Sequence, residues 1–208
     1  MEKVLVAGAT GTTGNIIVHL LKESDNYEPV AMVRKKEQTA QFQAKGIETV
    51  LADLTEDVSH AVKGTGKVIF AAGSKGKNLE EVDKEGAKKL VDAAEKHGLK
   101  KFVMLSSIGA DDPESHSELS DYLKAKKSAD EHLRNSSISY TIVRPGQLSN
   151  DEGTGKIRYG KSIDHKGDIP RADVAKTLVT ALDESKADHK TFEILKGDTP
   201  IEEALKKV

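Results

Sequence analysis

The apolar run Val4-Leu5-Val6-Ala7 ends in Gly8-Ala9-Thr10-Gly11-Thr12-Thr13-Gly14, and a helical pattern, Asn15-Ile16-Ile17-Val18-His19-Leu20-Leu21, begins where the glycines stop. Glycine weakens both strand and helix interiors, so three of them spaced three apart at this junction need a physical reason. Strand, glycines and helix in that order is what a dinucleotide requires. Gly8 permits a tight turn, Gly11 lets the main chain approach a diphosphate with no side chain in the way, and Gly14 allows the helix to lie close on the strand. The amides of Thr12 and Thr13, at the positive end of the helix, complement phosphate charge. A glycine-rich turn without a ligand is the plainer alternative.

Beyond residue 14 the pattern repeats. Apolar, β-branched runs at 4–9, 30–34, 48–53, 68–73, 102–107, 140–144 and 192–195 are separated mostly by stretches of helical periodicity. Alternating strands and helices give a parallel sheet covered on both faces, and strands apolar throughout fit burial on both faces. The expected fold is α/β: a doubly wound parallel sheet of about seven strands, flanked by helices, in one domain over residues 1–208. The stretch 147–169 lacks a helical pattern and is too long for an ordinary connection. Its place after the sixth strand puts it over the ligand crevice of an open α/β sheet. Within it, GKIRYGKSI has the look of a small hairpin.

Composition removes other classes of function. Lys and Arg number 32 against 34 Asp and Glu, so no net charge favours nucleic acid or an anionic membrane. Aromatic residues are 4 % with no Trp, too few for base-stacking surfaces. Cysteine is absent, which excludes disulfides, thiolate zinc sites and cysteine nucleophiles, and the seven histidines are dispersed without metal-ligand spacing, so no metal is expected. With no spanning apolar stretch or signal pattern near the start, the expectation is a soluble cytoplasmic protein, monomer or homodimer, acting on a small-molecule substrate.

Two further positions carry chemistry. Twenty residues past Gly14, where an NAD-preferring chain places a carboxylate for the ribose 2′-hydroxyl, stands Arg34, followed by Lys35 and Lys36. Arginine binds a 2′-phosphate bidentately, which favours NADP; a solvated basic turn is the alternative. Tyr122 and Lys126 form a Y-x-x-x-K fifteen residues after Ser107, and they share a helix face with Ala129 and Leu133. A lysine within an apolar arc either favours the phenolate of Tyr122 or pairs with Asp130, four residues on. In the helix expected over 79–97, Asp83 projects into the apolar arc and needs a partner; an aspartate that caps the helix start or bonds a nearby backbone amide is the plainer alternative.

The spacing G-x-x-G-x-x-G, Arg34, Ser106-Ser107-Ile108-Gly109-Ala110, Tyr122 to Asp130, and Thr141-Ile142-Val143-Arg144-Pro145-Gly146 together resemble the atypical short-chain dehydrogenase/reductases, an NAD-dependent epimerase/dehydratase-like group akin to NmrA-type and biliverdin-reductase-B-type proteins. The resemblance covers nearly the whole chain. It implies a Rossmann fold with Gly8, Thr10, Gly11, Thr12, Thr13, Gly14 and Arg34 on the cofactor. It further implies Asp53 and Leu54 at the adenine edge, Ala71, Ala72 and Gly73 along the cofactor, Pro145 near the nicotinamide, and Lys126 touching it. Ser107 then orients a substrate carbonyl, Tyr122 is the acid/base, Lys126 lowers its pKa, and Asp83 stands where the family's tetrad has an asparagine. Arg171 and Asp173, in I-x-R-x-D-V-A, are either helix-start electrostatics or substrate contacts. The resemblance implies an NADPH-dependent reductase of a small carbonyl or quinone; a non-catalytic NADP-binding sensor and an epimerase or dehydratase are the alternatives.

Overall fold

The structure, a computed structural model, describes residues 1–74 and 76–208. The first half runs β1 (Glu2–Ala7), α1 (Thr12–Lys22), β2 (Tyr27–Val33), α2 (Thr39–Gln43), β3 (Glu48–Leu51), β4 (Lys67–Phe70), then a π-helical segment (Leu79–Gly86) that continues into α3 (Ala87–Lys96). The second runs β5 (Lys101–Leu105), α4 (Ser120–Asn135), β6 (Tyr140–Pro145), β7 (Gln147–Ser149), β8 (Lys156–Gly160), β9 (Asp168–Pro170), α5 (Arg171–Thr180), β10 (Lys190–Lys196), β11 (Thr199–Pro200) and α6 (Ile201–Leu205).

Nine strands make one sheet in the order β11-β8-β10-β6-β5-β4-β1-β2-β3, and β7 and β9 form a separate parallel pair. From β3 across to β10 every pairing is parallel. Successive side chains on a strand point to opposite faces, and both faces here are apolar. Val4 and Val6 enter a core with Ile17 and Leu21 of α1, Leu178 of α5 and Leu205 of α6. Leu5 and Ala7 enter a second with Leu90 and Ala94 of α3 and Leu133 of α4. This is the doubly wound architecture expected from the alternation.

The expected count of about seven strands is corrected to nine. All seven predicted strands are present; the additions are β8 and β11, antiparallel at the far edge beyond β10. Of the β8 side chains Ile157 alone is fully buried, so the segment carries little of the apolar signal that marks a strand. GKIRYGKSI does not fold on itself as a hairpin: its first half pairs with β10 and β11 instead. The stretch 147–169 therefore holds three short strands.

The chain order reverses between β1 and β4, and the crevice of such a sheet opens there, at the strands' C-terminal ends. Two glycines fix its floor. Gly8 has φ +88°, and a Cβ on it would lie 2.6 Å from the backbone nitrogen of Ala72 after β4. A Cβ on Gly14 would lie 2.0 Å from the carbonyl oxygen of Gly8. Main chain rests on main chain, so neither contact can relax by a rotamer change. Gly14→Ala forces α1 away from the turn, and an urea titration is expected to show a loss of about 3 kcal/mol. An unchanged midpoint would contradict this packing.

Candidate active site

Two adjoining cavities open along the crevice. The smaller, about 300 Å³, is lined by Gly8, Thr10, Arg34, Asp53 and Leu54 among others; the larger, about 520 Å³, is lined by Thr12, Thr13, Gly14, Asp83, Ser107, Tyr122, Lys126 and Pro145 among others. Gly11, Ala71, Ala72 and Gly73 line both. The residues that the resemblance placed on the cofactor and in the catalytic set thus all border one or other of these two adjoining cavities.

At the junction α1 begins. Its N-cap, Gly11, is extended (φ −75°, ψ 163°) and donates its amide to the Gly8 carbonyl at 2.9 Å. No side chain caps the helix, and its first turn holds no acidic residue. A helix start left open, facing a cavity and free of carboxylates, fits a diphosphate. In the smaller cavity Arg34 is exposed at the end of β2, and its amide and that of Lys35 donate to Gln38 Oε1 at 3.1 and 2.9 Å. Asp53 Oδ1 accepts from the Thr55 amide and hydroxyl at 3.0 and 2.9 Å, which folds the chain after β3 into an Asx turn.

In the larger cavity the reactive side chains meet. Lys126 is 4 % exposed, its Nζ lying 5.6 Å from the Tyr122 ring centroid and 3.7 Å from Asp83 Oδ1, and it donates to the Leu105 carbonyl at 3.4 Å. Asp83 is 1 % exposed; its Oδ2 accepts from the Ser74 amide at 2.9 Å, and its Oδ1 has no hydrogen-bond partner among the described residues. Asp83 thus bonds a nearby backbone amide through one oxygen and faces the Lys126 ammonium with the other.

The alternative pairing of Lys126 with Asp130 is corrected. Asp130, fully buried on the same helix, has Oδ2 engaged by Arg144 Nε and Nη2 at 3.1 and 3.0 Å and by the Ser106 hydroxyl at 2.9 Å. Burial pushes its carboxyl above the usual range, opposed by the Arg144 charge. This network also separates the two serines. Both serines border the larger cavity, but the Ser106 hydroxyl is committed to Asp130, whereas the Ser107 hydroxyl, half-buried, donates to the adjacent Ile108 carbonyl at 3.2 Å.

Of the paired candidates before α5, Arg171 borders the larger cavity, while Asp173 turns away and accepts from the Thr154 and Gly155 amides at 2.9 and 2.7 Å. Sequence reasoning missed Gln38 and Met32 in the smaller cavity and Leu119 and Leu148 in the larger. Gln38 stands one helical turn past Arg34, a spacing that could have found it; Leu119 and Leu148 left no signal. Among the described residues no helix is long and apolar enough to cross a membrane.

The profile of an NAD(P)H-binding family matches residues 8–185. A Bacillus subtilis protein named as an uncharacterized sugar epimerase, YhfK, is 42 % identical over 99 % of this chain and 100 % of its own. A solved Bacillus halodurans structure, described as a candidate NAD-dependent epimerase/dehydratase, superposes with a TM-score of 0.94 at 41 % identity, covering 100 % of both chains. Sanguinarine reductase of Eschscholzia californica is 27 % identical over 98 % of this chain and 92 % of its own.

The Asp130–Arg144 pair offers a direct test of this geometry. Arg144→Met leaves a buried carboxylate without its cation and is expected to cost about 3–5 kcal/mol in urea unfolding, whereas Arg144→Met combined with Asp130→Leu recovers most of that loss. Equal stability of the single and double variants would mean that the two groups are not paired.

Proposed function

The chain belongs to the NAD(P)H-binding family, and from that premise we propose an NADPH-dependent reductase of the atypical short-chain dehydrogenase/reductase kind, acting on a small carbonyl or quinone-like substrate. The observation that carries the reading is the convergence of Ser107, Tyr122, Lys126 and Asp83 on one cleft that adjoins the cavity bordered by Arg34. The dinucleotide supplies the hydride when bound.

The chain's own residues divide the remaining work. The main chain at Gly11, Thr12 and Thr13 holds the diphosphate, Arg34 the 2′-phosphate, and Asp53 and Leu54 the adenine edge. Ala71, Ala72, Gly73 and Pro145 wall the nicotinamide side. Ser107 donates to the substrate oxygen and so orients it. Tyr122 gives that oxygen its proton. A phenol is too weak an acid–base group near neutrality unless a cation favours its phenolate, and Lys126 supplies that cation from beneath the ring. Asp83 keeps the ammonium in place by charge and would otherwise be an isolated buried anion.

A sensor needs no lysine buried between a tyrosine and a carboxylate, so this arrangement supports an enzyme. Two relatives bear epimerase names. An epimerase that oxidises and re-reduces one substrate consumes no net cofactor, so NADPH depletion across a carbonyl and quinone panel separates the two reactions.

Tyr122→Phe is expected to lower turnover at least a hundredfold while leaving the NADPH dissociation constant within twofold. Unchanged turnover would remove Tyr122 from the chemistry. Fluorescence titration is expected to show NADPH binding at least tenfold tighter than NADH, with Arg34→Ala closing most of the gap. Equal affinities in the unaltered protein would refute the NADP preference.

A further inference from the structure

Charge in the larger cavity is unbalanced. One acid, Asp83, and two bases, Lys126 and Arg171, border it, and Asp83 faces Lys126 at 3.7 Å. Among the described residues the guanidinium of Arg171 has no carboxylate within ion-pair distance. Its Nη1 donates to two neutral oxygens, the Leu148 carbonyl at 3.3 Å and Asn150 Oδ1 at 2.8 Å. The nearest acid in sequence, Asp173, is taken by the amides of the 154–155 turn.

The contrast with Arg144 is informative. That arginine, on β6, is buried and matched by Asp130 and by Asp111 at 3.4 Å. Arg171 is half-buried beside Leu148, in a cleft that Leu105, Leu119 and Pro145 keep largely apolar. A cation in such surroundings gains strongly from an anion and little from water. The bonds to β7 and Asn150 use one nitrogen and hold the side chain in place, leaving the rest of the fork to a ligand with little further loss of entropy.

We propose, resting on the reductase reading above, that Arg171 reads an oxyanion within the cleft and that this oxyanion is a carboxylate carried by the substrate. The preferred substrates are then small, apolar carbonyl compounds bearing a carboxylate, with the apolar body against Leu119 and Leu148. The cofactor's diphosphate has the same oxyanion chemistry, so the experiment must tell the two sources apart.

Two planar aldehydes of matched size serve as probes: 4-carboxybenzaldehyde and the uncharged 4-nitrobenzaldehyde. The expected result is a KM for the carboxylate raised about tenfold by Arg171→Gln, with the nitro compound's KM and the NADPH dissociation constant both within twofold. Arg171→Lys, which keeps the charge but loses the fork, falls between. Calorimetry of 4-carbamoylbenzoate, which has no aldehyde, against NADP-loaded protein reads the same contact without turnover. Loss of its binding in Arg171→Gln, when neither aldehyde is reduced by the unaltered protein, upholds the oxyanion site and overturns the reductase reading alone. Weakened NADPH binding in Arg171→Gln, with 4-carbamoylbenzoate affinity unchanged, assigns the oxyanion to the cofactor and overturns the substrate carboxylate. No change in either affinity overturns the proposal entirely.

Discussion

Main chain touching main chain at the end of β1 is the constraint on which the crevice depends. The Gly8 carbonyl lies under α1 where a Cβ on Gly14 would meet it at 2.0 Å, and the Gly8 α-carbon lies against the Ala71 and Ala72 backbone with no room for a side chain. These contacts fix the start of α1 relative to the ends of β1 and β4, so the open amides at Thr12 and Thr13 face the same space as the turn after β4. Because backbone cannot change rotamer, the geometry is set before any ligand arrives. A preformed anion site of this kind avoids an ordering cost on binding.

Around that fixed floor, two buried ion pairs organise α4. Lys126 and Asp130 are one turn apart and both turn inward, yet each finds its partner on a different element: Lys126 on the π-helical segment, Asp130 on β6. The pairs act in different ways. Asp130 and Arg144 tie α4 to the sheet with three donors on a single oxygen, Ser106 included. Lys126 and Asp83 are more loosely matched at 3.7 Å, and one oxygen of each carboxylate, Asp83 Oδ1 and Asp130 Oδ1, has no hydrogen-bond partner among the described residues. The wide π-helical turn that carries Asp83 is the kind of local irregularity that tends to accompany functional sites.

The sequence made the buried strands legible because β1, β2, β4, β5 and β6 are apolar on both faces, and a parallel sheet leaves that signature. β8 and β11 escaped for the opposite reason: an antiparallel edge strand with one buried side chain, and a two-residue strand ending in Pro200. Motif spacing found the glycine cradle, Arg34 and the set of Ser107, Tyr122 and Lys126, but not the apolar Met32 and Leu119 that lie within the same stretches. It could not find the pairing of the charges. Asp130 at four residues from Lys126 is the natural partner on an isolated helix, but packing brings Asp83 closer to the ammonium and Arg144 to the carboxylate. Adjacent serines were equally opaque: both border the cavity, and it is the bond to Asp130 that commits the Ser106 hydroxyl and not that of Ser107.

The two halves of the crevice therefore differ in kind. The half around Gly8 and Gly11 draws backbone and glycine from the turns after β1 and β4, with Arg34 after β2 as its added charge and Asp53 and Leu54 from the turn after β3. The other half assembles side chains from β5, α4, the π-helical segment, β7 and α5, five elements distant in sequence. Change in any one of those elements alters shape or charge on the substrate side while the backbone cradle stays intact. Such a division lets one dinucleotide frame carry different reactions, which is consistent with relatives that match nearly the whole of this chain bearing both epimerase and reductase names. In the larger cavity the acid, Asp83, already faces Lys126, so the residual positive charge is that of Arg171 on α5, outside the glycine stretch that builds the cradle.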